Sequence, residues 1–121
     1  MKPEDKAKRL RIYISSTDKF EHKPLYEEIV YTAKNNGISG ATVLKGIMGY
    51  GASSVIYSNS LWEISEKIPL VVEIIDEAHK IDSFVKLILP YFDKAGKGHI
   101  ITVEKTTIVM HKRGNKKKIQ D

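Results

Sequence analysis

The stretch from Gly37 to Ser54 reads G-I-S-G-A-T-V-L-K-G-I-M-G-Y-G-A-S-S. Ala41 to Met48 has the composition of a β-strand, yet Gly46, Gly49 and Gly51 crowd its far end. Glycine weakens a strand because it has no side chain to pack and more backbone freedom to lose. Three glycines within six residues therefore mark a point where the strand leaves its sheet and becomes the base of a loop that approaches another backbone or a ligand. Gly37 and Gly40 only punctuate the passage from the preceding helix into the strand.

Upstream, Leu10, Ile12 and Ile14 alternate with Arg11, Tyr13 and Ser15, the period-2 pattern of a half-buried strand over 9–15. A polar connection, Ser15 to Lys23, leads to Pro24, which suits the first position of a helix because its missing N–H costs nothing there. Glu27 and Glu28 fall where the helix dipole favours acids, and Tyr26, Ile29, Val30 and Ala33 repeat at helical spacing up to Gly37.

Downstream of the glycine cluster, 52–67 has no clear period and is long for a connection in a compact domain, which points to a functional or mobile loop. Trp62 in that loop is read as packing on the sheet or on another subunit in preference to stacking on a ligand. Leu70 to Ile75, with four β-branched residues in six, is a central strand. Asp76 is placed to cap a second helix carrying Ile81, Phe84, Val85, Ile88 and Phe92, and Pro90 should end or kink it. A loop over 93–98 follows, then two β-rich runs, His99 to Val103 and Thr106 to Met110, either one bent strand or two. The order β-α-β-β-α-β with two right-handed crossovers predicts an α+β, ferredoxin-like fold, an antiparallel sheet with both helices on one face.

The 121 residues fit one domain, expected over 1–111, with 112–121 as a tail. The net charge of +5 resides in that tail: residues 112–121 hold +4 and residues 1–111 only +1. A lysine-rich end with nothing to bury is expected to be disordered and solvated, so nucleic acid is a disfavoured partner. The absence of cysteine removes disulfides and thiolate chemistry. With no apolar run near the ~20 residues of a membrane helix, the expected location is the cytoplasm.

Phosphate-loop, dinucleotide and nucleophile-elbow motifs are all missing. His22, His79, His99 and His111 have no metal-ligand spacing, so neither a metal site nor a cofactor is expected. Two segments remain: Lys45 with Gly46 to Ser54, and Gly96-Lys97-Gly98 after the second helix. Consecutive backbone N–H groups in such turns form anion-binding concavities, and Lys45 and Lys97 would add positive charge.

H-K-P-L-Y-E-E-I-V at 22–30, the Gly37 to Ser54 stretch, and I-P-L-V-V-E-I-I-D at 68–76 resemble, in order and spacing, the PII-like domain-of-unknown-function family 190. The resemblance spans Arg9 to Met110. It implies a trimer of ferredoxin-like protomers, as in the PII signalling proteins, which bind adenine nucleotides in clefts between subunits. Carried over, the ligand-binding positions are Gly46, Gly49, Tyr50, Gly51 and Ala52 in the first segment and Gly96, Lys97 and Gly98 in the second; Lys45 joins them on its charge alone. Ser15-Ser16 and Tyr57 depart from the Gly-Glu and the basic or histidine residue of many relatives, so a ligand contact there would be altered.

The expected function is a non-catalytic regulator that binds a small anionic metabolite, in particular an adenine nucleotide, and signals through 52–67. A second reading is an adaptor for a membrane transporter or channel without a small ligand. A third, nucleotide hydrolysis, lacks an identifiable base, nucleophile or metal cluster.

Overall fold

The computed structural model describes residues 6–51, 57–58, 67–93 and 98–114. The main elements are β1 (Ala7–Ser15), β2 (Lys19–Phe20), β3 (Lys23–Pro24), α1 (Leu25–Asn35), β4 (Thr42–Lys45), β5 (Met48–Gly49), β6 (Tyr57–Ser58), β7 (Pro69–Glu77), α2 (Ala78–Ile88) and β8 (Ile100–Thr106). β4, β7, β1 and β8 lie side by side in that order in one sheet, every pair antiparallel. This is the ferredoxin-like α+β arrangement predicted from the β-α-β-β-α-β order.

The alternation in β1 and β7 sends Leu10, Ile12, Ile14, Leu70, Val72 and Ile74 to one face, where Leu25, Ile29 and Ala33 of α1 and Ile81, Phe84 and Ile88 of α2 cover them. Each fully buried Ile or Leu contributes about 2 kcal/mol of transfer free energy, enough for this layer to hold both helices to the sheet. Lys8 adds an ion pair to Asp82 of α2 at 2.7 Å.

Helix boundaries follow local chemistry. Pro24 stands one place before α1 as its N-cap residue, with Glu27 and Glu28 in the first turn. Gly37, with φ of +80°, ends it: the Ile38 N–H donates to the Ala33 carbonyl at 3.1 Å, closing a Schellman turn that buries Ile38. Pro90 lies in a 3-10 turn, Leu89–Phe92, that terminates α2, as its missing N–H dictates.

Three expectations are corrected. The second strand covers only Thr42–Lys45: the Gly46 N–H still donates to the Pro69 carbonyl at 2.8 Å, in step with the Lys45–Leu70 register, but Pro69 has no N–H to return a bond; Met48–Gly49 then pairs with Tyr57–Ser58 in a separate ladder. The last strand is single and stops at Thr106, where its pairing partner Ala7 begins β1. Asp76 does not cap α2, whose N-cap residue is Glu77 with no side-chain bond. Its carboxylate instead accepts from the Ser39 N–H at 2.9 Å, the Ser39 hydroxyl at 3.1 Å and the Glu77 N–H at 2.7 Å. Asp76 thus pins the Gly37 to Gly40 turn to the end of β7.

The two-residue turn between β2 and β3 places Glu21 and His22 at φ of 50° and 75°. This turn demands positive φ at both centres, and side chains resist it. His22→Gly should therefore stabilise the fold by about 0.5 kcal/mol, the relieved strain exceeding glycine's added unfolded entropy, as read by urea unfolding.

Candidate functional site

The antiparallel registers bring Ser15, Pro69, Lys45 and Ile100 to one end of the sheet. Gly46, after Lys45, and Gly98, two residues before Ile100, therefore both lie at that end. Lys45 is the exposed last residue of β4. A Cβ on Gly46 would stand 3.1 Å from Pro69 Cγ, and one on Gly49 3.7 Å from Pro69 Cβ, so part of the glycine requirement is the close passage of the chain over Pro69. Gly51 has open space around it, and Ile47, Met48 and Tyr50 are exposed. This first segment thus offers a backbone edge flanked by apolar side chains. Ala52 lies outside the described residues, as do Trp62, Gly96 and Lys97.

Gly98 is exposed and immediately precedes His99, which leads into β8. β4 and β8 are opposite edges of the sheet, with β7 and β1 between them. At the usual strand spacing they are about 14 Å apart, so Lys45, Gly46, Gly49, Tyr50 and Gly51 do not share a pocket with Gly98 within one chain.

Between them runs a hydrogen-bonded turn whose organisation the sequence does not disclose. Asp18 is 7% exposed, and its Oδ2 accepts from the Ser15 N–H at 2.8 Å and stands 3.1 Å from Nε2 of His99, whose side chain is 6% exposed. The His99 ring also meets Phe92 edge-on, with centroids 5.1 Å apart. Ser16 donates its N–H to the Ile68 carbonyl at 2.9 Å and accepts the Ile68 N–H on its hydroxyl at 3.0 Å. The Ser15 and Thr17 hydroxyls lie 3.1 Å apart. Asp18 and His99 are 81 residues apart, and only the sheet order makes them neighbours.

Among the described residues, no helix covers the other face of the sheet. Leu44, Val71, Tyr13 and Ile100 form one cross-strand row over all four strands, and Leu44, Tyr13 and Ile100 are exposed. The adjacent row holds Arg11 and Glu73, paired at 3.0 Å, and the next holds Ile75 beside the Arg9–Glu104 ion pair. The Glu73 hydrogen bond, foremost, raises the Arg11 pKa, and the Arg9 hydrogen bond, foremost, lowers that of Glu104. An apolar row bordered by matched charges on a helix-free face has the composition of a surface built to be covered.

Among the described residues no three His, Asp or Glu side chains are grouped to hold a metal ion. No helix among them is long and apolar enough to cross a membrane.

The fold and family are shared with known proteins. A nitrogen regulatory PII-like protein, CPII from Thiomonas intermedia K12, solved bound to ADP, AMP and bicarbonate, superposes with a TM-score of 0.65 at 15% identity, covering 87% of this chain and 90% of that one. Its form bound to ADP and bicarbonate superposes with a TM-score of 0.63 at 14% identity, covering 87% and 90% of the two chains. In sequence, a UPF0166 protein of Aquifex aeolicus is 38% identical over 104 residues, 86% of this chain and 94% of the relative. A UPF0166 protein of Methanocaldococcus jannaschii is 40% identical over 85 residues, 70% of this chain and 74% of the relative. Residues 7–108 match the family DUF190, described as Uncharacterized ACR, and the chain belongs to it.

Proposed function

We propose that this protein is a non-catalytic, PII-like regulator that works as a homotrimer, binds an adenine nucleotide between copies, and reports occupancy through residues 52–67. The observation that carries this reading is the position of Gly46 to Gly51 and of Gly98: the same end of the sheet, but opposite edges. The described residues of neither edge alone surround a nucleotide. A heterologous contact, in which the β4 edge of one copy meets the β8 edge of the next, joins them and closes naturally into a ring. The exposed apolar row on the open sheet face supplies surface for such an assembly.

The Gly46 to Ala52 backbone and Tyr50 of one copy would then meet Gly96, Lys97 and Gly98 of the next, with Lys97 and Lys45 offering charge to phosphates. CPII, bound to ADP, AMP and bicarbonate, supports the ligand class, and bicarbonate joins the candidates on the same footing. Binding that orders the loop base changes the surface carried by Ile47, Met48 and Tyr50, a means of signalling to a target such as a membrane transporter. The cytoplasm suits a regulator of this kind.

Calorimetry of the oligomeric protein against ATP, ADP, AMP and cyclic nucleotides, with and without bicarbonate, tests the reading. Binding of at least one nucleotide is expected, with a raised melting temperature. Gly46→Val should abolish it, since a branched side chain cannot pass Pro69 without moving the loop base. Absence of heat and of thermal stabilisation with every nucleotide would overturn the reading.

A further inference from the structure

We propose that the buried Asp18–His99 pair is a positioning clamp that links the two glycine segments of one chain, so that engagement of one is felt at the other. A continuous set of contacts carries the link. Gly46 is bonded to Pro69, whose neighbour Ile68 is bonded twice to Ser16. Two residues on, Asp18 holds the Ser15 N–H and His99, which directly follows Gly98. Phe92 packs on the same imidazole, so His99 also holds together the described residues on either side of 94–97.

Three features make this more than ordinary packing. Both side chains are over nine-tenths buried, so the pair is held away from water, where an unmade bond is costly. It joins segments far apart in sequence, and it lies at the end of the sheet, apart from the cluster of buried apolar side chains. The Ser15 to Asp18 turn that carries it also ends in the Leu25 N–H bond to the Asp18 carbonyl at 2.8 Å, which anchors the turn on the start of α1. In an assembly where each chain contributes both edges, to two different sites, such a clamp couples neighbouring sites through the body of one chain. This last step rests on the proposed nucleotide site; the clamp itself does not.

Two variants separate the bond from the volume. His99→Phe keeps a ring against Phe92 but has no donor for Asp18, whereas His99→Gln keeps an N–H at about the reach of Nε2. Amide hydrogen exchange of the ligand-free protein is expected to rise about tenfold at Ser16 and Ile68 in His99→Phe, to return in His99→Gln, and to stay unchanged at Leu10 and Val72. ADP affinity should fall about tenfold in His99→Phe and recover to within about threefold in His99→Gln. Unchanged exchange at Ser16 and Ile68 in His99→Phe overturns the clamp, whatever the affinity does. The expected exchange pattern in a protein that binds no nucleotide upholds the clamp and overturns the proposed function instead. Should His99→Phe not fold, His99→Leu, which likewise offers Asp18 no donor, must show the same rise at Ile68 for the clamp to stand.

Discussion

Asp76→Ala is expected to lower the stability of the fold by about 3 kcal/mol, or about 12 °C in melting temperature at this chain length. Asp76 is 1% exposed and accepts three hydrogen bonds, so truncation leaves the Ser39 N–H, the Ser39 hydroxyl and the Glu77 N–H without their acceptor. The Gly37 to Gly40 turn, which directs the chain from α1 into β4, then loses its attachment to β7. Lys80, bonded to the Gly37 carbonyl at 3.4 Å, cannot replace it. Asp76→Asn should cost less, about 2 kcal/mol, because an amide oxygen still serves Ser39 while its NH2 faces the Glu77 N–H.

The same residue sets a pH dependence. Burial pushes the Asp76 carboxyl up, but the Ser39 and Glu77 N–H groups, the Ser39 hydroxyl and the charge of Lys80 together hold it below the usual 3.8. A carboxyl depressed in the folded state contributes stability that is fully present above its unfolded pKa and is lost as pH falls through the folded one. The gap between the native protein and Asp76→Asn should therefore be full at pH 7 and shrink below about pH 4, as read by urea unfolding at a fixed protein concentration. A gap that does not change with pH would contradict this account.

Val71→Glu is expected to turn the proposed trimer into monomers. Val71 is the middle of the open-face row, between Leu44 on one side and Tyr13 on the other. A carboxylate there is brought into an apolar contact in every copy, at a cost of about 4 kcal/mol per interface, or about a thousandfold in affinity. The row lies on the face opposite the helices, so the monomer's own core is untouched. Leu87→Glu, on an exposed position of α2, provides the control and should leave the assembly intact. Sedimentation at micromolar concentration distinguishes the two; a Val71→Glu protein that still sediments as a trimer would place the interface elsewhere.

Much of the fold was legible because its signals are local and periodic. The alternation of Leu10, Ile12 and Ile14, the helical repeat through Ile81, Phe84 and Ile88, Gly37 as a helix end and Pro90 as a helix stop all describe the chain's own short-range geometry. What failed depended on partners distant in sequence. The early end of β4 is caused by Pro69, and the role of Asp76 by Ser39, so neither is encoded in its own neighbourhood. The candidate site divides the same way. The crowding of Gly46, Gly49 and Gly51 announced a close approach, but the neighbour found within the chain is Pro69. His99, dismissed with the scattered histidines, gained a partner only when the sheet order set β8 beside β1. That Gly46 and Gly98 stand at opposite edges is likewise a property of topology, and the proposed site between copies rests on this separation.

Subunit mixing tests that necessity most directly. Gly46→Val damages the first segment and Lys97→Glu the second, so neither variant alone, in the proposed trimer, should bind ADP. When the two are unfolded together at equal amounts and reassembled, random mixing produces interfaces that join an intact first segment to an intact second one. About one site in four should then bind ADP at native affinity, as counted by calorimetry. Recovery of that fraction is the predicted result; a verified mixed trimer with no recovered sites would contradict a nucleotide site shared between copies.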